Sequence, residues 1–168
     1  MINLFLFSFI SILIVSSFGR FIIKDDKIDF INFSRLLIFG SIFISFITLI
    51  LNFIIPLNKL VNTVLLCLPI YIIYKYKFIF FSKNFIYFNL LGAFIIFLLV
   101  FKSTVYRPDA ILYHLQYTSI INSEKIIFGL SNLHFRFAHI SIIQYFSAFF
   151  NNLLLTEKSI IFAPAIIA

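Results

Sequence analysis

Ionisable and hydrogen-bonding side chains collect in one stretch of this chain, residues 106–136. A carboxylate can take a proton from a hydroxyl group, an imidazole can carry a proton near neutral pH, and a guanidinium can bind phosphate through two parallel hydrogen bonds. This stretch contains all three groups, so it is where we expect a substrate to bind. Its candidate functional residues are Arg107, Asp109, Tyr113, His114, Gln116, Asn132, His134 and Arg136.

These candidates also have simpler structural interpretations. Asp109 fits the N-cap of a helix as well as a catalytic base, because it follows Pro108 and precedes a helical pattern. His114 is suited to proton transfer, phosphate binding or metal binding, and equally to a structural role. Arg107 and Arg136 fit either a substrate phosphate or lipid head groups.

A helix is predicted from Asp109 to about Asn122, lying along the membrane surface. On a period of 3.6 residues, Asp109, Tyr113 and Gln116 share one face with His114 beside it, so a carboxylate and polar donors converge. Apolar residues at the remaining periodic positions make this an amphipathic interfacial helix. They are Ile111, Leu112, Leu115, Ile120 and Ile121.

The rest of the chain is too apolar for a water-soluble domain. Hydrophobic residues make up 62% of the 168 residues, charged residues make up 11%, and the mean hydropathy is +1.12. Such a chain needs a bilayer as its solvent, and a helix needs about 20 apolar residues to cross the hydrocarbon core. We therefore predict a single all-α membrane domain, a polytopic bundle of transmembrane helices. The predicted spans are residues 2–19, 36–58, 60–74, 84–101 and 137–156, with a polar loop at 102–136.

Two of the apolar runs are short for a membrane span. Residues 60–74 fall below the usual length, although Lys59 and Lys75 at their ends can extend toward the head groups. Residues 159–168 are too few to cross a membrane as a helix. We therefore expect the chain to be the N-terminal part of a longer protein.

The net charge of +7 is better explained by membrane topology than by nucleic-acid binding. The thirteen lysines and arginines are scattered over loops and build no basic face, so no nucleic-acid partner is expected. With five spans, eight of them fall in loops on one side of the membrane and five on the other. The positive-inside rule then places the N-terminus and the 102–136 loop outside the cytoplasm.

No metal or cofactor site is predicted. His134 and His139 are five residues apart, which lacks the spacing of two ligands on one helical face. The adjacent Asp25 and Asp26 are flanked by two lysines, so their charge is neutralised by their neighbours. The sequence indicates no cofactor and leaves a requirement for a divalent metal open.

Two motifs carry a family resemblance. The pattern D-x-x-L-Y-H-L-Q at residues 109–116, followed by G-L-x-N-L-H-x-R at residues 129–136, resembles bacterial multispan membrane proteins similar to the type C (GT-C) glycosyltransferases. That resemblance implies a multi-pass protein of the bacterial cytoplasmic membrane. It also implies a polyprenyl-phosphate sugar as donor and a glycan or lipid of the cell envelope as acceptor.

The resemblance also implies roles for individual residues. An acidic residue in a non-cytoplasmic loop is the catalytic base of that superfamily, and Asp109 occupies the matching position. Arg107, Arg136 and His114 would then stabilise the departing lipid phosphate, and direct displacement would invert the anomeric carbon. The remaining polar candidates, Tyr113, Gln116, Asn132 and His134, would line the substrate site.

A different class of function fits the same residues. A non-enzymatic membrane subunit or transporter of surface-polysaccharide assembly would use Asp109, Arg107 and the histidines to bind or gate a polar solute. The two functions differ in whether the carboxylate of Asp109 is needed for sugar transfer.

Overall fold

The computed structural model describes residues 2–102, 114–132, 141–155 and 160–168, and these residues form a helical bundle. The predicted all-α fold class is confirmed, since the described residues contain helices and no strand. The helices are α1 (Ile2–Ile22), α2 (Phe30–Asn52), α3 (Lys59–Leu65), α4 (Cys67–Lys75), α5 (Lys77–Phe80), α6 (Lys83–Lys102), α7 (Leu115–Ser123), α8 (Ile142–Phe149) and α9 (Phe162–Ile167), with a 3₁₀ turn at Leu130–Asn132.

Within the part of the chain that the structure describes, three helices are long and apolar enough to cross a membrane: α1, α2 and α6, with 21, 23 and 20 residues. At about 1.5 Å rise per residue each reaches about 30 Å, the thickness of the hydrocarbon core. Helix α6 exposes a row of large apolar side chains that a bilayer would cover. They are Leu90, Leu91, Phe94, Ile95, Leu98 and Leu99.

Helix α1 lies at the centre of the bundle, packed against α2, α4, α6 and α9. Its closest approach is to α2, where Gly19 lies on the backbone of Leu36 and Gly40 lies on the backbone of Val15. Aromatic side chains fill the space between helices further along, with Phe18 on the edge of Phe149 at a centroid distance of 5.8 Å. Small residues thus set the spacing of α1 and α2, and phenylalanines fill the rest of the core.

Helix α2 begins earlier than the span predicted at 36–58. Asp29 is its N-cap, since the carboxylate accepts a hydrogen bond of 2.8 Å from the backbone N–H of Asn32. The helix ends at Asn52. The prediction began at residue 36 because Arg35 interrupts the apolar run, but an arginine in the first turns of a helix can extend its head group into the interface.

The segment predicted as a span at 60–74 is not one continuous helix. It consists of α3 and α4, with the break at Leu66. Pro69 explains the break, because its ring clashes with the carbonyl four residues earlier and it has no N–H to donate. The segment nevertheless runs along the bundle: Asn62 contacts the chain after α8, and Tyr76 lies beside Arg20 at the end of α1.

The span predicted at 137–156 also differs from the structure. Within the described residues, α8 ends at Phe149 and a turn follows. The side chain of Asn152 holds this turn, since its oxygen accepts hydrogen bonds from the backbone N–H groups of Leu154 and Leu155 at 3.1 and 2.9 Å. Asparagine stabilises turns in this way in competition with a continuing helix.

Candidate functional site

The inward face of α7 carries polar side chains onto α8. Its spacing is that of a helix face, with His114 followed by Tyr117, Thr118 and Ile121, and the last three are buried. Gln116 projects from the exposed side of the helix. We call the place where α7 meets α8, α3 and the end of α2 the polar junction, defined by His114, Tyr117, Gln144, Tyr145, Asn52 and Asn62.

His114 meets the buried side chain of Gln144 in the polar junction, with His114 Nδ1 3.4 Å from Gln144 Nε2. The amide oxygen of Gln144 accepts a hydrogen bond of 3.1 Å from the backbone N–H of Ser141, which fixes the orientation of the amide. The amide nitrogen can only donate, so His114 Nδ1 must accept. In the neutral imidazole this contact assigns the proton to Nε2.

Two tyrosines form the interior of the polar junction. Tyr117 and Tyr145 lie next to each other, and both side chains are buried. Burial raises the pKa of Tyr117 above its ordinary value, and the hydroxyl of Tyr145 opposes that effect only in part. Tyr117 is therefore a neutral phenol at physiological pH and can act as a hydrogen-bond donor.

Asn52 joins the end of α2 to the chain that follows α7. Its amide nitrogen donates to the backbone oxygen of Glu124 at 2.9 Å and approaches that of Ile121 at 3.3 Å. Its own backbone oxygen accepts from Ile126 N–H at 3.0 Å. The side chain and the backbone of this buried residue therefore both hold the end of α7 in place.

Asn62 joins α3 to α8. Its amide nitrogen lies 2.9 Å from each of three backbone oxygens, those of Leu57, Ala148 and Asn151, and the side chain is fully buried. An unpaired carbonyl in an apolar interior is costly, so this one side chain stabilises both the segment before α3 and the end of α8. Buried hydrogen bonds therefore give the polar junction a fixed geometry.

The structure places three of the predicted site residues. His114 lies in the polar junction, Gln116 lies on the exposed face of α7, and Asn132 is exposed in the 3₁₀ turn that follows Gly129, whose φ is +85°. His114 and Gln116 therefore point to different sides of the helix. The other five fall outside the described residues and stay predictions: Arg107, Asp109, Tyr113, His134 and Arg136.

Several junction residues were not among the sequence candidates. Gln144, Asn151 and Asn152 lie within the predicted span 137–156, and all three are buried. Asn52 and Asn62 carry the same signal, because a polar side chain in or beside an apolar span needs a partner. Tyr117 was identifiable by its spacing, three residues after His114 on a helix.

A second polar cluster lies at the opposite end of α1. Arg20 is buried, forms an ion pair with Asp26, and places its guanidinium 4.6 Å from the ring centroid of Tyr76. The sequence indicated that flanking lysines neutralise Asp25 and Asp26, and the fold adds a buried arginine as the ion-pair partner of Asp26. Among the residues with described coordinates, no three His, Cys, Asp or Glu side chains form a group that could hold a metal ion.

These features define the class of the protein. Three long apolar helices around buried polar side chains make it a multi-pass helical membrane protein. The chain belongs to the family described as Domain of unknown function (DUF8201), whose family model matches residues 1–164. No curated protein and no solved structure matches the chain.

Proposed function

We propose that this protein is an integral membrane glycosyltransferase of the GT-C type. It would transfer a sugar from a polyprenyl-phosphate donor to a glycan or lipid acceptor of the cell envelope, in the cytoplasmic membrane of a bacterium. The observation that supports this most is the polar junction at one end of the apolar bundle, where His114 and Tyr117, which follow Asp109 closely in the sequence, meet Gln144. Polar side chains in a membrane domain are costly, so they usually mark a substrate site.

The reaction requires a base, a nucleophile and a stabilised leaving group. The acceptor hydroxyl oxygen would attack the anomeric carbon while Asp109 takes its proton, and the bond from that carbon to the phosphate oxygen would break. The departing polyprenyl phosphate would gain negative charge. Arg107, Arg136 and the imidazole of His114 are the kinds of group that stabilise it.

Charge distribution supports an orientation for this proposal. Arg20, Lys24, Lys27, Lys75, Lys77 and Lys83 lie where α1 ends and where α2 and α6 begin, away from the polar junction. By the positive-inside rule this end faces the cytoplasm, so the polar junction and the 102–136 loop face outward. A polyprenyl-phosphate sugar is used on that outer side.

A matched pair of variants tests the proposal. The protein, purified in detergent, would be given radiolabelled polyprenyl-phosphate sugars and membrane-extracted acceptors, and label in glycolipid or polymer would be counted. Asp109→Asn should reduce transfer by at least about a hundredfold, since general-base catalysis contributes roughly 10²–10⁴. Asp29→Asn is the control, because Asn also caps a helix well and Asp29 is distant from the junction. Full transfer by Asp109→Asn would show that the carboxylate is not the base.

One observation favours the non-enzymatic alternative. The described side chains of the polar junction are all neutral amides, phenols or an imidazole, so the base rests on Asp109 alone. A subunit or transporter that binds a sugar through hydrogen bonds would need no more than those groups. In that case the wild-type purified protein would transfer no label, yet gene deletion would still remove the surface glycan.

A further inference from the structure

An open groove lies at the basic end of the bundle, between the loop joining α1 to α2 and the segment from α4 to α6. Its volume is about 980 Å³. The lining residues that matter to the argument are Asp26, Lys27, Phe30, Lys75, Phe78 and Tyr87. The groove is separate from the polar junction, because none of the residues that line the groove belongs to that junction.

The wall of the groove is held by Arg20. Its guanidinium pairs with Asp26, donates to the backbone oxygen of Ile23 at 3.2 Å and covers the ring of Tyr76. Asn84 at the start of α6 donates to the backbone oxygen of Ile28 at 3.1 Å. The α1–α2 loop is therefore fastened to both α1 and α6, and the groove has a defined shape.

The carboxylates around the groove are already engaged by the protein. Asp26 pairs with Arg20, and Asp29 caps α2 by accepting from the N–H of Asn32. Asp25 accepts from the side-chain amide of Asn32 at 3.0 Å. Each negative charge thus has an internal donor, which reduces its repulsion of an incoming anion.

The groove lies at an end of the bundle that carries an excess of positive charge, although Lys27 and Lys75 in its own lining are matched by Asp26 and Asp29. Lys27 and Lys75 line it, and Lys75 Nζ lies 5.4 Å from the ring centroid of Tyr76. This end of the bundle carries seven basic residues against the three carboxylates already engaged. They are Arg20, Lys24, Lys27, Arg35, Lys75, Lys77 and Lys83.

Exposed aromatic rings border the same groove. Phe30, Phe78 and Tyr87 are 64%, 84% and 63% exposed. Aromatic side chains beside lysines are typical of the level at which lipid head groups meet the acyl chains. Water is a poor solvent for such rings, so lipid is the occupant that their chemistry favours.

We propose that this groove binds an anionic phospholipid of the surrounding bilayer. The lipid phosphate lies between Lys27 and Lys75, and the glycerol and upper acyl chains lie on Phe30, Phe78 and Tyr87. The charge of the lysines selects the anionic head group, while the aromatic rim selects a lipid over a free phosphate ion. This inference does not depend on the proposed sugar transfer.

Native mass spectrometry can measure the bound lipid directly. The whole chain would be purified in a mild detergent with equal amounts of phosphatidylglycerol and phosphatidylcholine, and the ratio of the two retained lipids would be recorded. The wild type should retain phosphatidylglycerol in excess. Each neutralised lysine should reduce that excess roughly fivefold, so Lys27→Gln with Lys75→Gln should nearly abolish it.

The control carries the same charge change at the other end of the bundle. Lys102 and Lys125 lie at the end of α6 and after α7, so the double glutamine variant there should keep the wild-type ratio. Equal loss in both double variants, or no loss in the groove variant, would overturn the proposal. If the groove variant does not fold, the salt dependence of the wild-type protein is measured instead. Its excess of phosphatidylglycerol should fall as the salt concentration rises, and an excess that does not change with salt would also overturn the proposal.

Discussion

Gly40 of α2 lies directly against Gly19 of α1, so that a β-carbon on Gly40 would be 3.0 Å from the backbone nitrogen of Gly19 and would overlap the backbone oxygen of Val15. A β-carbon on Gly19 would overlap the backbone oxygen of Leu36 in the same way. Between helices in a membrane, where lipid is as apolar as leucine, close backbone packing of this kind is a main source of association.

Alanine at Gly19 or Gly40 should therefore separate α1 from α2. Neither backbone can move without disturbing its own helix, so we expect each variant to lose about 1–3 kcal/mol of stability. Gly92→Ala is the control, because the added β-carbon would meet only the end of the Ile12 side chain, which can rotate away. Thermal unfolding in detergent, followed by size-exclusion chromatography, compares the three. Equal losses at all three positions would contradict the close-packing interpretation.

Two buried asparagines should respond in opposite ways to the same substitution. Asn62→Leu removes the two amide hydrogens shared by the backbone oxygens of Leu57, Ala148 and Asn151, and among the described residues only that of Ala148 accepts a second hydrogen bond, from Asn151 N–H. The loss should destabilise the protein by roughly 3 kcal/mol. Asn89 is fully buried in α6, and neither side-chain atom has a hydrogen-bond partner among the described residues. Asn89→Leu should therefore stabilise the protein by about 1 kcal/mol, since it removes an unsatisfied amide from an apolar interior.

Melting temperatures of the two leucine variants, measured in the same detergent, check this contrast. Asn62→Asp is a useful third variant, because a carboxylate oxygen would face three carbonyl oxygens and should be at least as damaging as leucine. If Asn89→Leu lowered the melting temperature as much as Asn62→Leu, the amide of Asn89 would have a partner in the intact membrane protein.

The long helices could be predicted from the sequence because their signal is local. An unbroken apolar run of about 20 residues is enough to predict a span, and α1, α2 and α6 are such runs. The breaks were harder to predict. Helices α3 and α8 end inside apolar segments, at Leu65 and Phe149, because of Pro69 and Asn152. Whether such a residue bends or stops a helix depends on its tertiary partners.

The polar junction could be predicted only in part, because its contacts join distant parts of the chain. The spacing within residues 106–136 identified His114 as a candidate, but its partner Gln144 lies 30 residues away. Likewise, Asn62 and Ala148 are 86 residues apart. The local sequence around His114 or Asn62 does not indicate which distant group its side chain will contact.

Removing the buried charge of the α1–α2 loop should cost more than removing its exposed partner. Arg20 is 3% exposed and binds Asp26, backbone oxygens and the ring of Tyr76, whereas the Asp26 side chain is 81% exposed. We expect Arg20→Gln to lose roughly 2–3 kcal/mol and Asp26→Asn to lose less than about 1 kcal/mol. Chemical denaturation in mixed micelles measures both. A larger loss from Asp26→Asn would mean that the ion pair, and not the packing of the arginine, holds the loop.

The two ends of the bundle should face opposite sides of the membrane, and single cysteines can show which side each faces. Cys67 is exposed and would itself react, so it is first replaced by serine. Gln116→Cys then reports the polar junction, and Lys83→Cys reports the basic end at the start of α6. A membrane-impermeant maleimide should label Gln116→Cys in intact cells, whereas Lys83→Cys should react only after permeabilisation. The reverse pattern would place the polar junction in the cytoplasm, away from the outer side where a polyprenyl-phosphate sugar is used, and would favour the transporter or subunit function over sugar transfer.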